Sequence, residues 1–162
     1  MTEAERQSLQ HACDDLIKQQ QTLLLSSRSE DGRADISYAP YLREGGKFYI
    51  LVSELAKHTK NLLDYPHASV LFIEPEAEAA NLFARKRLTI DCQVQEIHKT
   101  DPLYAQILDA LTAKFGEIVG LLRSLPDFHL LALMPGHGQF VAGFGKAFAV
   151  DAAGCLQWAT TN

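Results

Sequence analysis

Read from the amino terminus, the chain changes its hydrophobic period several times. Over residues 2–20 the apolar positions Leu9, Ala12, Leu16 and Ile17 form a narrow stripe at helical spacing. That pattern predicts a helix lying against the outside of a domain. Thr2 and Glu5 have capping-box spacing, so the helix is predicted to start there. From Thr22 the period becomes strand-like. TLLLSSR reads as a strand, Asp31-Gly32 as a hairpin turn and ADISYAPYLR as the returning strand. Pro40 offers no amide donor, which predicts an edge or a bulge at that point. Glu44-Gly45-Gly46 then makes a second turn, and KFYILVS is a third strand.

The segment VSELAKHTKNL follows, with Ser53 at the predicted N-cap of a short helix that ends near Tyr65-Pro66. SVLFIEP is a fourth strand, EAEAANLFA a helical turn or two, and RLTIDCQVQEI a long fifth strand. Asp101-Pro102 suits the N-cap and first turn of a helix running to about Ser124. FHLLALMP and QFVAGFGKAFAV, joined at Gly136-His137-Gly138, read as a final hairpin, with GFGK inside its strand pattern and CLQWA as one more strand. Close hairpin turns between six or seven strands are incompatible with a parallel sheet, whose crossovers are long. The prediction is a mainly antiparallel α+β fold: a closed or partly closed barrel with flanking helices, since closure removes exposed edges. One domain covers residues 1–162, with the first helix over 1–20 and the barrel, including the helix at about 101–124, over 21–162.

Composition narrows the possible roles. The 162 residues, 47% hydrophobic and 22% charged, are enough for a core without covalent staples. A net charge of −5 argues against nucleic-acid and anionic-membrane partners, which need a basic face. Cys13, Cys92 and Cys155 are odd in number and widely spaced, which suits a reducing compartment. The polar start MTEAERQSLQ is unlike a signal peptide, and no apolar run approaches the roughly 18 residues of a membrane span. The expectation is a cytoplasmic protein. The six histidines have no metal-ligand spacing, so no metal site is predicted.

Two basic clusters are the candidate chemistry. Ser53 at a helix start, with Lys57 and His58 one turn in, makes a potential anion site, because free helix amides and a nearby lysine both favour negative charge. The alternative is that Lys57 and Lys60 only solvate the helix surface. The second cluster is Arg85 to Arg87, where strand alternation puts Arg85, Arg87 and Thr89 on one face. A charged strand start that discourages edge pairing is the competing reading. Two such clusters in an acidic chain favour a shared phosphate. Asp127 and His129 read either as an acid–base pair or as a turn leading into a strand.

Four segments in order, ISYAPYL, FYILVSELAKHTKNL, ARKRLTIDCQV and MPGHGQFVAGFGKAF, resemble the pyridoxamine phosphate oxidase-like superfamily. The similarity is greatest to its haem-iron utilisation (HugZ-type) branch. It spans roughly residues 22–150. Such proteins are split barrels that bind flavin mononucleotide (FMN) between the subunits of a homodimer, so the resemblance implies an FMN-dependent oxidoreductase. The alternative it implies is a haem-binding protein on the same barrel. By position, Ser53, Lys57 and His58 would hold the flavin phosphate, and the backbone of Ser37, Tyr38, Ala39 and Pro40 would line the ring edge. Arg87 would face the flavin where the oxidases carry glutamine, with Arg85 toward the phosphate. QFVAGFGKAF lacks the oxidases' Trp and has Lys146 roughly at their Arg, which separates this chain from enzymes acting on pyridoxamine phosphate. The runs FYILV, VLFI, LLALM and FVAGF lack polar alternation and predict strands covered on both faces, by helices and by a second subunit. The interface expected is of the obligate kind, above about 2,000 Å².

Overall fold

The computed structural model describes residues 1–158. Helix α1 (Glu3–Gln19) starts at Thr2, whose hydroxyl accepts from the Glu5 amide while the Glu5 carboxylate accepts from the Thr2 amide. Strands β1 (Thr22–Arg28) and β2 (Ala34–Pro40) form the first hairpin. β3 (Leu42–Glu44) and β4 (Lys47–Ser53) form the second, turning at Gly45-Gly46, both of positive φ. Helix α2 (Lys57–Asp64), β5 (His67–Ile73), two single 3-10 turns at Glu76–Glu78 and Leu82–Ala84, and β6 (Arg87–Ile97) follow. Helices α3 (Pro102–Phe115) and α4 (Glu117–Leu122) precede β7 (Phe128–Gly143) and β8 (Lys146–Val150).

All strand pairs are antiparallel, in the order β2-β1-β5-β6-β7-β4-β3, with β8 paired to β7. No ladder joins the end strands β2 and β3, although β2 packs near β4, so the barrel is split on that side. The split falls at Tyr41. Pro40 has no amide to give, and the Tyr41 amide donates to Gln21 O instead of continuing the β1 ladder. The Tyr41 ring turns inward, where its hydroxyl donates to the Ile17 carbonyl of α1 and to the carbonyl of Gln20, the residue that caps it. ADISYAPYLR is therefore two strands rather than one, and the strand count rises to eight.

Four further expectations are corrected. The helix predicted over 101–124 is broken at Gly116, whose φ of 89° L side chains rarely adopt, into α3 and α4. Gly136-His137-Gly138 is not a hairpin turn: β7 runs through it as one 16-residue strand, and its register against β6 shifts between Ile90 and Cys92. A bulge explains the glycines, because a Cβ on Gly138 would lie 2.5 Å from the Thr89 carbonyl oxygen. The hairpin turn lies at GFGK, previously placed inside a strand, and joins β7 to β8. CLQWA contributes a single bridge, Leu156 to Val150, among the described residues; Ala159 lies outside them. Gly138→Ala is expected to lower stability by about 1–3 kcal/mol through overpacking against backbone. Urea unfolding measures this, and an unchanged midpoint would contradict the close approach.

Two cores result. Inside the barrel, Leu23, Leu25, Phe48, Ile50, Phe72 and Phe140 pack with Cys13, Leu16 and Ile17 of α1. Burial pushes the Cys13 and Cys92 thiols up to about 12, so neither is a thiolate nucleophile near neutral pH. On the outer face of β4 and β7, Tyr49, Leu130 and Ala132 pack under Ile107, Leu108, Leu111 and Val119 of α3 and α4. FYILV and LLALM are thus covered on both faces, as predicted, with helices as the outer cover. The apolar face left bare belongs to β1, β2 and β5. Tyr38, Leu24 and Leu71 sit in one row across the three strands, with Ile36 beside them. Ile36 is 80% and Tyr38 62% exposed. No helix among the described residues is long and apolar enough to cross a membrane.

Candidate functional site

The predicted site residues fall into two groups. The first gathers where β4 hands over to α2. Ser53 is not the helix N-cap. It is the last residue of β4, paired with Phe128, and the N-cap is Ala56, whose side chain makes no capping bond. Lys57 and His58 are consequently the first two helical residues, nearer the free amides than predicted. Ser53 Oγ accepts from the Leu55 amide at 3.1 Å and donates to Asp127 Oδ2 at 3.2 Å, which orders the turn. Thr59 Oγ1 donates back to the Ser53 carbonyl. His58 Nδ1 lies 2.8 Å from Ser37 Oγ, joining α2 to β2. Burial lowers the His58 pKa, so it is a neutral imidazole near pH 7 and a hydrogen-bonding group, not a cation. Lys57 supplies the positive charge.

Lys57 also lines an open groove of about 730 Å³ with Asp31, Arg33, Asp35, Lys60 and Asn61. Asn61, absent from the sequence reading, fixes this wall. It is 7% exposed, and its Nδ2 donates to Ser27 Oγ at 3.1 Å and to Asp35 Oδ2 at 2.9 Å. A polar residue inside a helical stretch gives no local sign of such a role. Of the β2 residues, Ala39 is buried and offers only backbone, while Tyr38 and Pro40 are exposed. β2 is an edge strand paired only with β1, so its outer backbone groups remain open to a ligand or another chain.

The second group is separate. Arg85 follows the second 3-10 turn rather than lying in β6, so alternation does not place it beside Arg87. Its Nε and Nη2 donate to the Glu74 carbonyl at 3.0 and 2.6 Å, closing the loop between β5 and β6. Arg87 donates from Nη1 to the Arg85 carbonyl at 3.1 Å. β5 and β1 lie between β6 and β2, and among the described residues no hydrogen bond or ion pair joins the two groups.

Asp127 and His129 are not an acid–base pair. Asp127 takes the Ser53 hydroxyl, whereas His129 is held between two carboxylates, with Nδ1 2.7 Å from Glu96 Oε2 and Nε2 2.8 Å from Glu54 Oε1. A carboxylate oxygen against each ring nitrogen is an arrangement that favours the doubly protonated imidazolium. Those hydrogen bonds, to Glu96 first and then Glu54, raise the His129 pKa.

Fold and site together define an antiparallel split barrel with a cationic helix start on one face of the β1–β2 hairpin and a bare apolar row on the other. The sequence profile of the family described as pyridoxamine 5'-phosphate oxidase matches residues 9–142, and the chain belongs to that family. It is 39% identical over 134 residues to a protein named heme oxygenase HutZ from Vibrio cholerae serotype O1, covering 83% of this chain and 76% of that one. The crystal structure of HutZ, described as a heme storage protein from Vibrio cholerae, superposes with a TM-score of 0.78 at 37% identity, covering 85% of this chain and 96% of that one. That of Campylobacter jejuni ChuZ gives 0.82 at 25% identity, covering 94% and 63%. These likenesses agree with the split barrel and with the haem-utilisation branch inferred from the segments.

Proposed function

We propose that the protein binds haem as a homodimer and belongs among the haem-utilising members of its family, with haem breakdown as its activity. The observation carrying this reading is a bare apolar row, Tyr38–Leu24–Leu71, on one face of the first hairpin, with the cationic start of α2 against the other face of the same edge strand. A flat apolar ring with anionic arms that crosses the open edge of β2 matches both features: the row receives the ring, while Lys57 and the α2 amides receive a propionate. The names of the relatives favour haem as that ring. Haem would supply the redox centre, and the residues here would orient it and shield its face. A second copy laid on the bare face would cover it.

FMN is the second reading, supported by the family and by the same anion site. Its ring edge would run along the backbone of Ser37 to Pro40, with the phosphate at Ser53, Lys57 and His58.

Titration with haemin and with FMN separates the readings. Haem binding predicts a saturable Soret change at one equivalent per chain and twice the 18.0 kDa chain mass by light scattering. Lys57→Ala is expected to weaken haemin about tenfold, the effect of a charge-assisted bond discounted for an exposed lysine. Saturable quenching of FMN fluorescence without a Soret change would replace haem by flavin. A monomer that binds either ligand tightly would remove the shared site.

A further inference from the structure

The anion site contains an awkward residue. Glu54 follows Ser53 directly and stands three positions before Lys57, so an unpaired carboxylate there would oppose any anionic ligand. Its backbone is already fixed, since the Glu54 amide donates to the Asp127 carbonyl at 2.8 Å. What remains variable is where the side chain goes. His129 Nε2, 2.8 Å away, holds it on the side of β7, while Glu96 of β6 anchors the other ring nitrogen.

We propose that His129 is a positioning residue for the ligand site: as an imidazolium it draws the Glu54 carboxylate away from the start of α2 and masks its charge, so affinity for an anionic ligand falls when His129 loses its proton. The inference rests on the proposed ligand site. The charged and titratable groups around the ring are Glu54 from the β4–α2 turn, Glu96 from β6, His98 and Lys99 beyond it, Asp127 ahead of β7, and Tyr104 of α3. Asp127 is engaged by Ser53, and His98 lies 4.0 Å from the second Glu96 oxygen. The less exposed Glu96 retains the remaining N–H on Nδ1, so Glu54 is the acid that loses its direct partner on deprotonation. A carboxylate pair on opposite nitrogens of one ring cannot converge on an ion, which sets this cluster apart from a metal site; no metal-holding group of such residues occurs among the described ones.

The sign follows from the raised imidazole value. Masking is complete below the ordinary value of 6.5 and is lost as pH rises through the higher value in the folded protein. Haemin is a suitable probe because ordinary carboxylates, its propionates included, are already ionised above about pH 6.5.

The test compares haemin affinity of the wild type, Glu54→Gln and His129→Gln on either side of the His129 titration, which its own resonances locate in the ligand-free protein, with backbone amides followed alongside. Wild-type affinity should fall with rising pH by about three- to tenfold, a size typical when a neighbour of a site is altered rather than a contact. Glu54→Gln should bind as tightly as the wild type on the acid side of the His129 titration and keep that affinity on its alkaline side. His129→Gln should show the weaker, flat profile throughout. A purely structural role would instead weaken both variants alike and leave the slope in Glu54→Gln, which would overturn the proposal. Without haemin binding at any pH, the ligand reading fails, and the resonances decide the clamp. A His129 midpoint at or below 6.5, or amides of Leu55 to Lys57 that ignore its titration, would overturn that too.

Discussion

Asn61→Leu is expected to cost about 2–3 kcal/mol of stability and to loosen α2 from the first hairpin, because it leaves buried polar partners without a donor. Leucine matches asparagine in size and suits a helix, so the loss isolates the hydrogen bonds rather than volume or propensity. The Ser27 hydroxyl, 4% exposed, and Asp35 Oδ2 both receive from the same amide nitrogen. Urea unfolding should show a lower midpoint with an unchanged slope, since the exposed area is nearly the same. Haemin affinity should fall as well, since α2 carries Lys57 and His58. A variant as stable as the wild type would mean that packing of Leu62 alone seats the helix.

Phe72→Ala is expected to have the larger effect, about 3–5 kcal/mol, from lost burial plus the cavity left behind. Phe72 is 1% exposed and packs edge-on to Tyr41 with ring centroids 5.3 Å apart, and at 5.3 Å from Phe48 as well. Tyr41 and Phe48 also meet at 5.6 Å, so the three rings form one unit in the middle of the barrel. Removing one ring leaves the other two facing a void that cannot collapse, because Tyr41 is tethered to α1 through its hydroxyl. Thermal or denaturant unfolding measures the loss, and a deficit below about 1.5 kcal/mol would show that the core repacks.

Strands with clean alternation, such as β1 and β6, were legible to the residue, because one face meets the core and the other does not. The errors came where a local signal had two physical causes. Glycine serves a tight turn and a close backbone approach equally well, so the bulge in β7 resembled a hairpin and the true turn at Gly143 to Gly145 resembled a strand. Serine after a strand resembles an N-cap, yet Ser53 stays in β4 and gives its hydroxyl to Asp127. The cationic start of α2 was visible as charge. The engagement of Arg85 by a carbonyl, the neutrality of His58 and the Glu54–His129–Glu96 bridge were not. Those depend on burial and on residues 33 and 75 positions apart, which no local pattern encodes.

The pairing of β4 with β7 also sets an order of events during synthesis. β4 can close its hairpin with β3 as soon as both have left the ribosome, but its other edge stays open until Phe128 and the residues beyond it emerge. Roughly 70 residues intervene, which at about 5–20 residues per second is a wait of about 4–15 s. Through that interval Tyr49, Ile50 and Val52 lack the β7 partners that bury them, and α3 is made only toward its end. The nascent chain therefore passes through a stage in which one of its most apolar strands presents an unpaired edge, the circumstance in which a holding chaperone has something to bind.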